Sequence, residues 1–247
     1  MNESTLPTPS INRSRGQLRR LLGRFVRSRN VVVGGSILMI VIVLAVLAPV
    51  VTTYRPTEQA RRERLQPPSS IHLLGTDNLG RDIFTRILYG GQISLQVGIF
   101  SVALGALIGT LLGLIAGYFG GWWDTLVMRL IDIMLAFPGI LLALAIIAVL
   151  GRDLRNVMIA VGIASIPVYT RVVRGSTLSI KEFDFVMAAR ALGAPSWRII
   201  LRHILPNVIA PIIVVTTNGV AGAIISGAAL SFLGLGQQPP NPEWGLM

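Results

Sequence analysis

Residues 87–123 and 204–242 hold no Asp, Glu, Lys or Arg, and most of their positions are aliphatic or glycine. A helix rises ~1.5 Å per residue and a bilayer core is ~30 Å thick, so each block exceeds the ~20 apolar residues that a crossing needs. A third uncharged run, "VVVGGSILMIVIVLAVLAPVV" at 31–51, is also long enough to cross. The alternating pattern of about ten residues that marks a membrane barrel strand is absent. Inside lipid only a helix or a closed barrel satisfies every backbone group. The pattern therefore predicts an all-α integral membrane protein, a bundle of membrane-crossing helices.

Five spans are expected, the first at 31–51. The second runs over about 93–117, where Gly98, Gly105, Gly109 and Gly113 recur mostly every four residues. Small residues at that spacing let helices of a dimer approach closely; glycine is also generally frequent in membrane helices, and both readings stand. In the turn "YFGGWWD", Trp122 and Trp123 suit the interface and Asp124 is expected to cap the third span, about 125–150. Pro138 should kink that span. Arg129 and Asp132, three apart, are expected to pair locally near the helix end rather than to relay protons. The fourth span covers about 157–178, with Arg171 and Arg174 in its last turns able to reach the interface. The fifth covers about 208–230.

Charge orients the bundle. The 247 residues carry 22 Lys+Arg against 11 Asp+Glu, a net +11, yet only 13% are charged, where a soluble domain would have roughly a quarter. The excess reads as the cytoplasmic flank of membrane spans, not as a nucleic-acid surface. Arg13, Arg15, Arg19, Arg20, Arg24, Arg27 and Arg29 precede the first span and should hold the N-terminus in the cytoplasm. The loop that follows then lies outside, against the pull of its own Arg61, Arg62, Arg64, Arg81 and Arg86. The expected organisation is a cytoplasmic basic arm at 1–30, a first transmembrane helix at 31–51, an extracytoplasmic loop at 52–92, and a core at 93–247 with a cytoplasmic segment at 179–207. The first apolar run follows a long basic arm and is too long for a signal-peptide core. Zero cysteine excludes disulfides and thiol ligands.

The segment "DFVMAARALGAPSWRIILRHILPN" interrupts the apolar pattern. Residues 180–192 read as one short helix closed by Gly193 in the left-handed conformation, and 195–205 as a second begun by Pro195. Pro206 ends that helix or leads into the fifth span. Ala188, Ala189 and Ala191 leave the first helix thin, fit for a groove on another protein, with Arg190, Glu182 and Asp184 to orient it. An amphipathic helix resting on lipid headgroups is the equal alternative on these residues alone.

"AARALGAPSWRIILRHILPN" resembles the EAA loop of bacterial ABC-importer permeases, matching it at Ala188, Ala189, Gly193, Leu205 and Pro206, with Met187 where a Glu is expected. "LLGTDNLGRDIFTRILYGGQISLQVG" and "LSFLGLGQQPPNPEWG" are similar to two further signatures of the oligopeptide/dipeptide (peptide/nickel) permease family. The three motifs stand in the family's order and span about 73–247. The chain most resembles the second of that family's two permease subunits, the one without a longer outer insertion. The resemblance implies a type I ABC importer permease fold (MetI-like) in the bacterial inner membrane. It implies a homologous permease partner, two cytoplasmic ATPase subunits and an extracytoplasmic substrate-binding protein. It implies ATPase coupling through Phe185, Met187, Ala188, Ala189, Arg190, Gly193 and Ala194, and an extracytoplasmic motif at Gly75, Thr76, Asp77, Gly80, Arg81 and Asp82. It also implies a sixth span and a short basic tail after the "PEWG" signature, beyond Met247.

The expected function is that of a permease subunit in an ATP-driven importer of di- and oligopeptides, with nickel chelates or glutathione as alternative cargo. No cofactor is expected on this chain: it holds no phosphate-binding G-x-x-x-x-G-K-[ST] motif, so ATP and magnesium belong to the partner ATPases. An ion-coupled transporter or channel is the rival, but such proteins carry intramembrane acids, and only Asp132 lies near a span. In "GTDNLGRD" the residues Asp77, Asn78 and Asp82 lack the bidentate Glu of a calcium loop, so a turn with Gly80 at its tight position is preferred. His72 and His203 read as isolated interfacial polar residues. Ser36, Ser94, Ser101 and Thr110 read as hydrogen-bonding residues on spans, with no catalytic arrangement.

Overall fold

The computed structural model describes residues 29–247; the basic arm, with Arg13, Arg15, Arg19, Arg20, Arg24 and Arg27, lies outside them. The chain divides at Val51 into two units. In the first, α1 (Arg29–Val46) and α2 (Ala48–Val51) are separated by a turn at Leu47. The expected single span at 31–51 is broken here because Pro49 has no N–H to donate and its ring crowds the preceding turn. Leu47 restores the chain of bonds, donating to Val43 O at 2.9 Å and accepting from Val51 N–H at 2.9 Å.

The second unit opens with an irregular loop and continues as α3 (Ile83–Phe119), α4 (Gly121–Leu135), α5 (Gly139–Leu150) and α6 (Leu154–Ile180). Helix α3 starts at Ile83, ahead of the expected span start at Ile93, because Asp82 caps it: its carboxylate accepts from Thr85 N–H at 2.8 Å. Among the described residues three helices are long and apolar enough to cross a membrane, four if the bent pair α4–α5 forms one span; Val32–Val46 is a shorter apolar helix.

The largest helix pair is α3 with α6. They run parallel and in step. Gly105, Gly109, Gly113 and Gly117 of α3 face Ser165, Tyr169, Val173 and Thr177 of α6. The four-residue glycine spacing thus serves a seam inside one chain, not a dimer seam. Gly98 serves a different neighbour, with Ile224 and Val220 packed against it.

Pro138 does more than kink its span. Helices α4 and α5 meet at 91°, because the residue before a proline is pushed out of the helical region and the proline offers no donor. Pro138 leaves Met134 O without its helical donor, and Phe137 N–H bonds that carbonyl at 3.4 Å, while Ala136 N–H keeps its helical bond to Asp132 O at 3.0 Å. Asp124, expected as a cap, stands inside the first turn of α4, and Gly120 takes the cap position.

After α6 come α7 (Asp184–Ala191) and α8 (Ser196–Ile199), a wide π turn over 200–204, and α9 (Leu205–Phe232). The two-helix surface motif expected at 180–205 is only half present. Its second helix runs on through the π turn into the fifth span, Ser196–Phe232 as one helical rod. The wide turn absorbs Pro206, and the side chain of Asn207 donates to His203 O at 2.7 Å.

Filling the seam tests the packing. A Cβ built at Gly113 would lie 2.8 Å from Thr170 O and 2.7 Å from Val173 Cβ, whereas one at Gly222 meets nothing within 4 Å. Gly113→Ala should lower stability by about 1–3 kcal/mol, measured as a lower thermal midpoint in detergent, and Gly222→Ala should leave it unchanged.

Candidate functional site

At the basic end of the bundle, α7 is closed by two crossed backbone bonds. Gly193 N–H donates to Arg190 O at 3.0 Å and Ala194 N–H to Ala189 O at 3.1 Å. Gly193 holds φ +76°, which a side chain disfavours. Val186 is the one buried residue of α7. It enters a core formed by Leu114 of α3, Val173 and Ile180 of α6, Ile199 of α8, Ile204, and Val208 of α9. Residues from all three long helices therefore share one core with it.

The outward side of the segment is apolar and uncovered: Phe183, Phe185, Met187, Leu192, Trp197 and Leu201 are exposed, Leu192 at 88%. Phe185 lies 5.7 Å from the Phe183 ring and 6.3 Å from the His203 ring. Ala188 is exposed; Ala189 and Ala194 are half-buried against the core. The Arg190 guanidinium lies over the Tyr118 ring at 5.6 Å, at the end of α3. Lys181 Nζ donates to Gly117 O at 3.1 Å, on the same helix end.

At the opposite end, the motif residues build a knot. Thr76 N–H donates to Gln66 O at 3.1 Å, Asp77 N–H to Arg81 O at 3.0 Å, and Ile83 N–H to Gly75 O at 3.1 Å; Thr76 Oγ1 also donates to Glu63 O. Gly75 and Gly80 have positive φ, and a Cβ on either would run into backbone, Gln66 O and Ala60 O respectively. The Asp77 carboxylate accepts from Leu79 N–H at 2.8 Å, Arg81 N–H at 3.0 Å and Arg81 Nε at 2.6 Å. Burial works to raise the Asp77 pKa, but these donors outweigh it and hold it below the ordinary carboxylate value. Arg86 Nη1 reaches Pro56 O at 3.0 Å and Pro240 O at 3.3 Å, tying the loop to the segment after α9. Trp244 Nε1 donates to Ile87 O at 2.9 Å and secures that segment on α3.

His72 is not an isolated interfacial residue. It is 2% exposed, with Nδ1 3.0 Å from Asp82 Oδ1 and Nε2 3.3 Å from Glu63 Oε2. Asp82 thus caps α3 with one oxygen and holds the imidazole with the other. Burial lowers the His72 pKa, but the hydrogen bonds and negative charges of Asp82 and Glu63 outweigh it, so the net shift is upward.

Between these ends two ion pairs join α4 to α6. Arg174 grips Asp124 with both prongs, at 2.5 and 2.7 Å. Arg171 Nη2 lies 2.8 Å from Asp132 Oδ1, so Asp132 pairs across helices and not with Arg129 as expected. Sequence spacing carried no signal for either pair, nor for the His72 clamp, because each joins residues that only folding brings together.

Comparison with known proteins adds to this geometry. Residues 109–247 match the model of the binding-protein-dependent transport system inner membrane component family. Residues 16–68 match that of the N-terminal transmembrane domain of oligopeptide transport permease C. A dipeptide transport system permease protein from Alkalihalophilus pseudofirmus is 50% identical over 221 residues, covering 90% of this chain and 73% of that one. A glutathione transport system permease protein from Pectobacterium atrosepticum is 46% identical over 245 residues, covering 99% and 81%. Another glutathione permease, from Escherichia coli, is 50% identical over 225 residues, covering 91% and 74%.

The His72 clamp makes the loop sensitive to pH. Because the folded pKa is raised, the stabilisation is fully present below the unfolded value near 6.5 and is lost as pH rises through the higher folded value. Protease cleavage within 52–82 should therefore accelerate on going from pH 6 to alkaline pH. His72→Gln should flatten that dependence.

Proposed function

The chain belongs to the family of binding-protein-dependent transport system inner membrane components, in its peptide-permease branch, and from that premise we propose how it works and what it carries. It is a multi-pass inner-membrane permease subunit of an ATP-driven importer and a translocation component, not an enzyme. The rival of an ion-coupled transporter falls with that membership. ATPase and substrate-binding partners come with the family; the proposed assembly pairs this chain with one homologous permease, two ATPase subunits and one binding protein. The basic end and the N-terminal arm face the cytoplasm, and the knot around Asp77 faces outward. ATP and magnesium bind the partner ATPases.

The observation that carries the mechanism is the construction of α7. An exposed apolar cap beside charged residues is costly to leave in water and suits a groove on a partner. Its one buried residue, Val186, stands in a core shared by α3, α6 and α9. A push on α7 by a closing ATPase pair is delivered to three spans at once, and alternating access follows from their joint movement. Phe185, Met187, Ala188 and Arg190 make the contact, Ala189 and Ala194 fit the helix to the core, and Gly193 fixes its end. Met187, where relatives of the motif carry Glu, makes this contact apolar.

The cargo is di- and oligopeptides, a reading supported by 50% identity to a dipeptide permease. Glutathione is the second reading, supported by equal identity to a glutathione permease; it is itself a small peptide, so the path chemistry is shared. In vesicles holding the full complex, Gly193→Val should leave insertion and assembly intact. A branched residue at φ +76° costs about 1–3 kcal/mol, so ATP-driven dipeptide uptake should fall roughly fivefold or more. Deleting 187–193 should abolish it, and unchanged uptake in both variants would refute the coupling role. Competition between a dipeptide and glutathione for uptake separates the two cargoes.

A further inference from the structure

Helix α6 carries arginines near both of its ends. Arg174 pairs with Asp124 beside Trp123, which puts that level at the interface on the basic side. Arg155 stands in the first turn of the same helix, about 28 Å back along the axis at ~1.5 Å per residue. A bilayer core is ~30 Å thick, so Arg155 lies at the headgroups of the opposite leaflet, on the side of the knot. The turn before the helix fixes it there. The Asp153 carboxylate accepts from Arg155 N–H at 2.8 Å. The Asn156 side chain donates to Leu150 O at 2.8 Å and to Gly151 O at 3.0 Å. Arg155 is exposed and makes no ion pair among the described residues.

Below Arg155, on the flank of the glycine seam, α3 and α6 leave a groove of about 390 Å³. Phe100, Ala103, Leu104 and Leu107 of α3 and Met158 and Ile159 of α6 line it, and Arg155 is its one charged lining residue. The four α3 residues share one helix face. The small Ala103 sets a depression between Phe100 and Leu107, which are 61% and 63% exposed. An apolar groove within the core that ends on a cation at headgroup level is matched in both parts by a phospholipid. Its acyl chain fills the groove and its phosphate meets the guanidinium. A membrane helix would fill the groove but must bring an acid for Arg155, and the chain's own uncharged span at 31–51 has none. Local charge selects the head: Arg152 and Arg155 against Asp153, two positive charges less one negative, leave one positive charge. A headgroup with net negative charge is therefore favoured over a zwitterionic one, whose ammonium the same arginines repel.

We propose that the groove between α3 and α6 binds an anionic glycerophospholipid of the knot-side leaflet, its phosphate on Arg155 and one acyl chain over Ala103. The site goes beyond the transport reading and does not depend on what the protein carries.

The probe is phosphatidylglycerol with a photoreactive diazirine in its acyl chain, in vesicles holding the full complex. It should label residues 100–107 and 158–159 more strongly than phosphatidylcholine bearing the same diazirine at equal mole fraction. Arg155→Gln should cut that labelling about fivefold, the effect of one cation near an anionic surface, while Arg155→Lys keeps most of it. Arg152→Gln removes a charge from the same turn, but Arg152 borders a different groove, with Leu144, Ala148 and Leu235. It should leave the labelling within about twofold of the unmodified complex. Ala103→Phe should lower labelling with Arg155 still in place. Equal labelling by the two lipids, or equal losses from Arg155→Gln and Arg152→Gln, makes the contact bulk lipid and overturns the site. A photoreactive side chain at position 103 that captures a protein chain and no lipid overturns it as well.

Discussion

Close approach of α3 to α6 is the constraint on which the rest of this protein depends. Water drives no helix association inside a bilayer, since lipid tails are as apolar as leucine, so contact area and fit must do the work. Glycine every fourth residue from Gly105 to Gly117 turns one face of α3 into a groove, and α6 lays Ser165, Tyr169, Val173 and Thr177 into it. Because the repeat of four matches in both helices, they run in step from one end of the seam to the other. The result is a stiff two-helix spine. The other elements hang from its ends or sides: the knot on Asp82 at one end, α7 on Val186 at the other, and α4 along its flank.

The two ends are joined to the spine by different physics. The knot is polar, and its parts are backbone carbonyls, arginines and a histidine held in exchange for one another. Asp82 does two jobs there, since the carboxylate that starts α3 also fixes the ring of His72. Loop geometry and helix start are therefore one structure, and a change in either is felt in the other. At the basic end the joint is apolar, a single valine in a core of branched side chains, reinforced by Arg190 over Tyr118 and Lys181 on Gly117. An apolar joint, unlike the ionic parts of the knot, is not screened by salt.

How far this was legible in the sequence follows from the range of each interaction. Uncharged blocks located the spans, Gly193 located the end of α7, and Pro138 located the bend, because each depends on residues within one turn of itself. Asp82 is a short-range cap as well, and it starts α3 ten residues ahead of where the uncharged, glycine-spaced pattern put the second span. Gly90, within those first turns, lets the Glu243–Trp244 segment settle on α3, where a Cβ would stand 3.2 Å from the Trp244 ring. The glycine seam had the right spacing, but spacing cannot name the partner. Asp132 had a plausible neighbour three residues away and a better one on another helix. His72 had no neighbour in sequence at all.

The joint between α8 and α9 shows why these long-range features matter together. A separate helix-turn-helix would let the basic segment hinge freely against the fifth span. Here the chain passes from Ser196 to Phe232 as one rod, with the mismatch caused by Pro206 spread over a π turn and not released as a break. Ile199 and Ile204 on that rod share the core of Val186. The core that holds α7 thus draws on α3, α6 and the near end of the rod together. Two of those helices are locked to each other by the glycine seam and cannot respond separately. The rod is the least buried of the long helices, and α5, beyond the right-angled bend at Pro138, returns to the spine, with Ala143 and Ile147 in one core with Val157, Ala160 and Val161 of α6 and Ala223 and Leu230 of the rod.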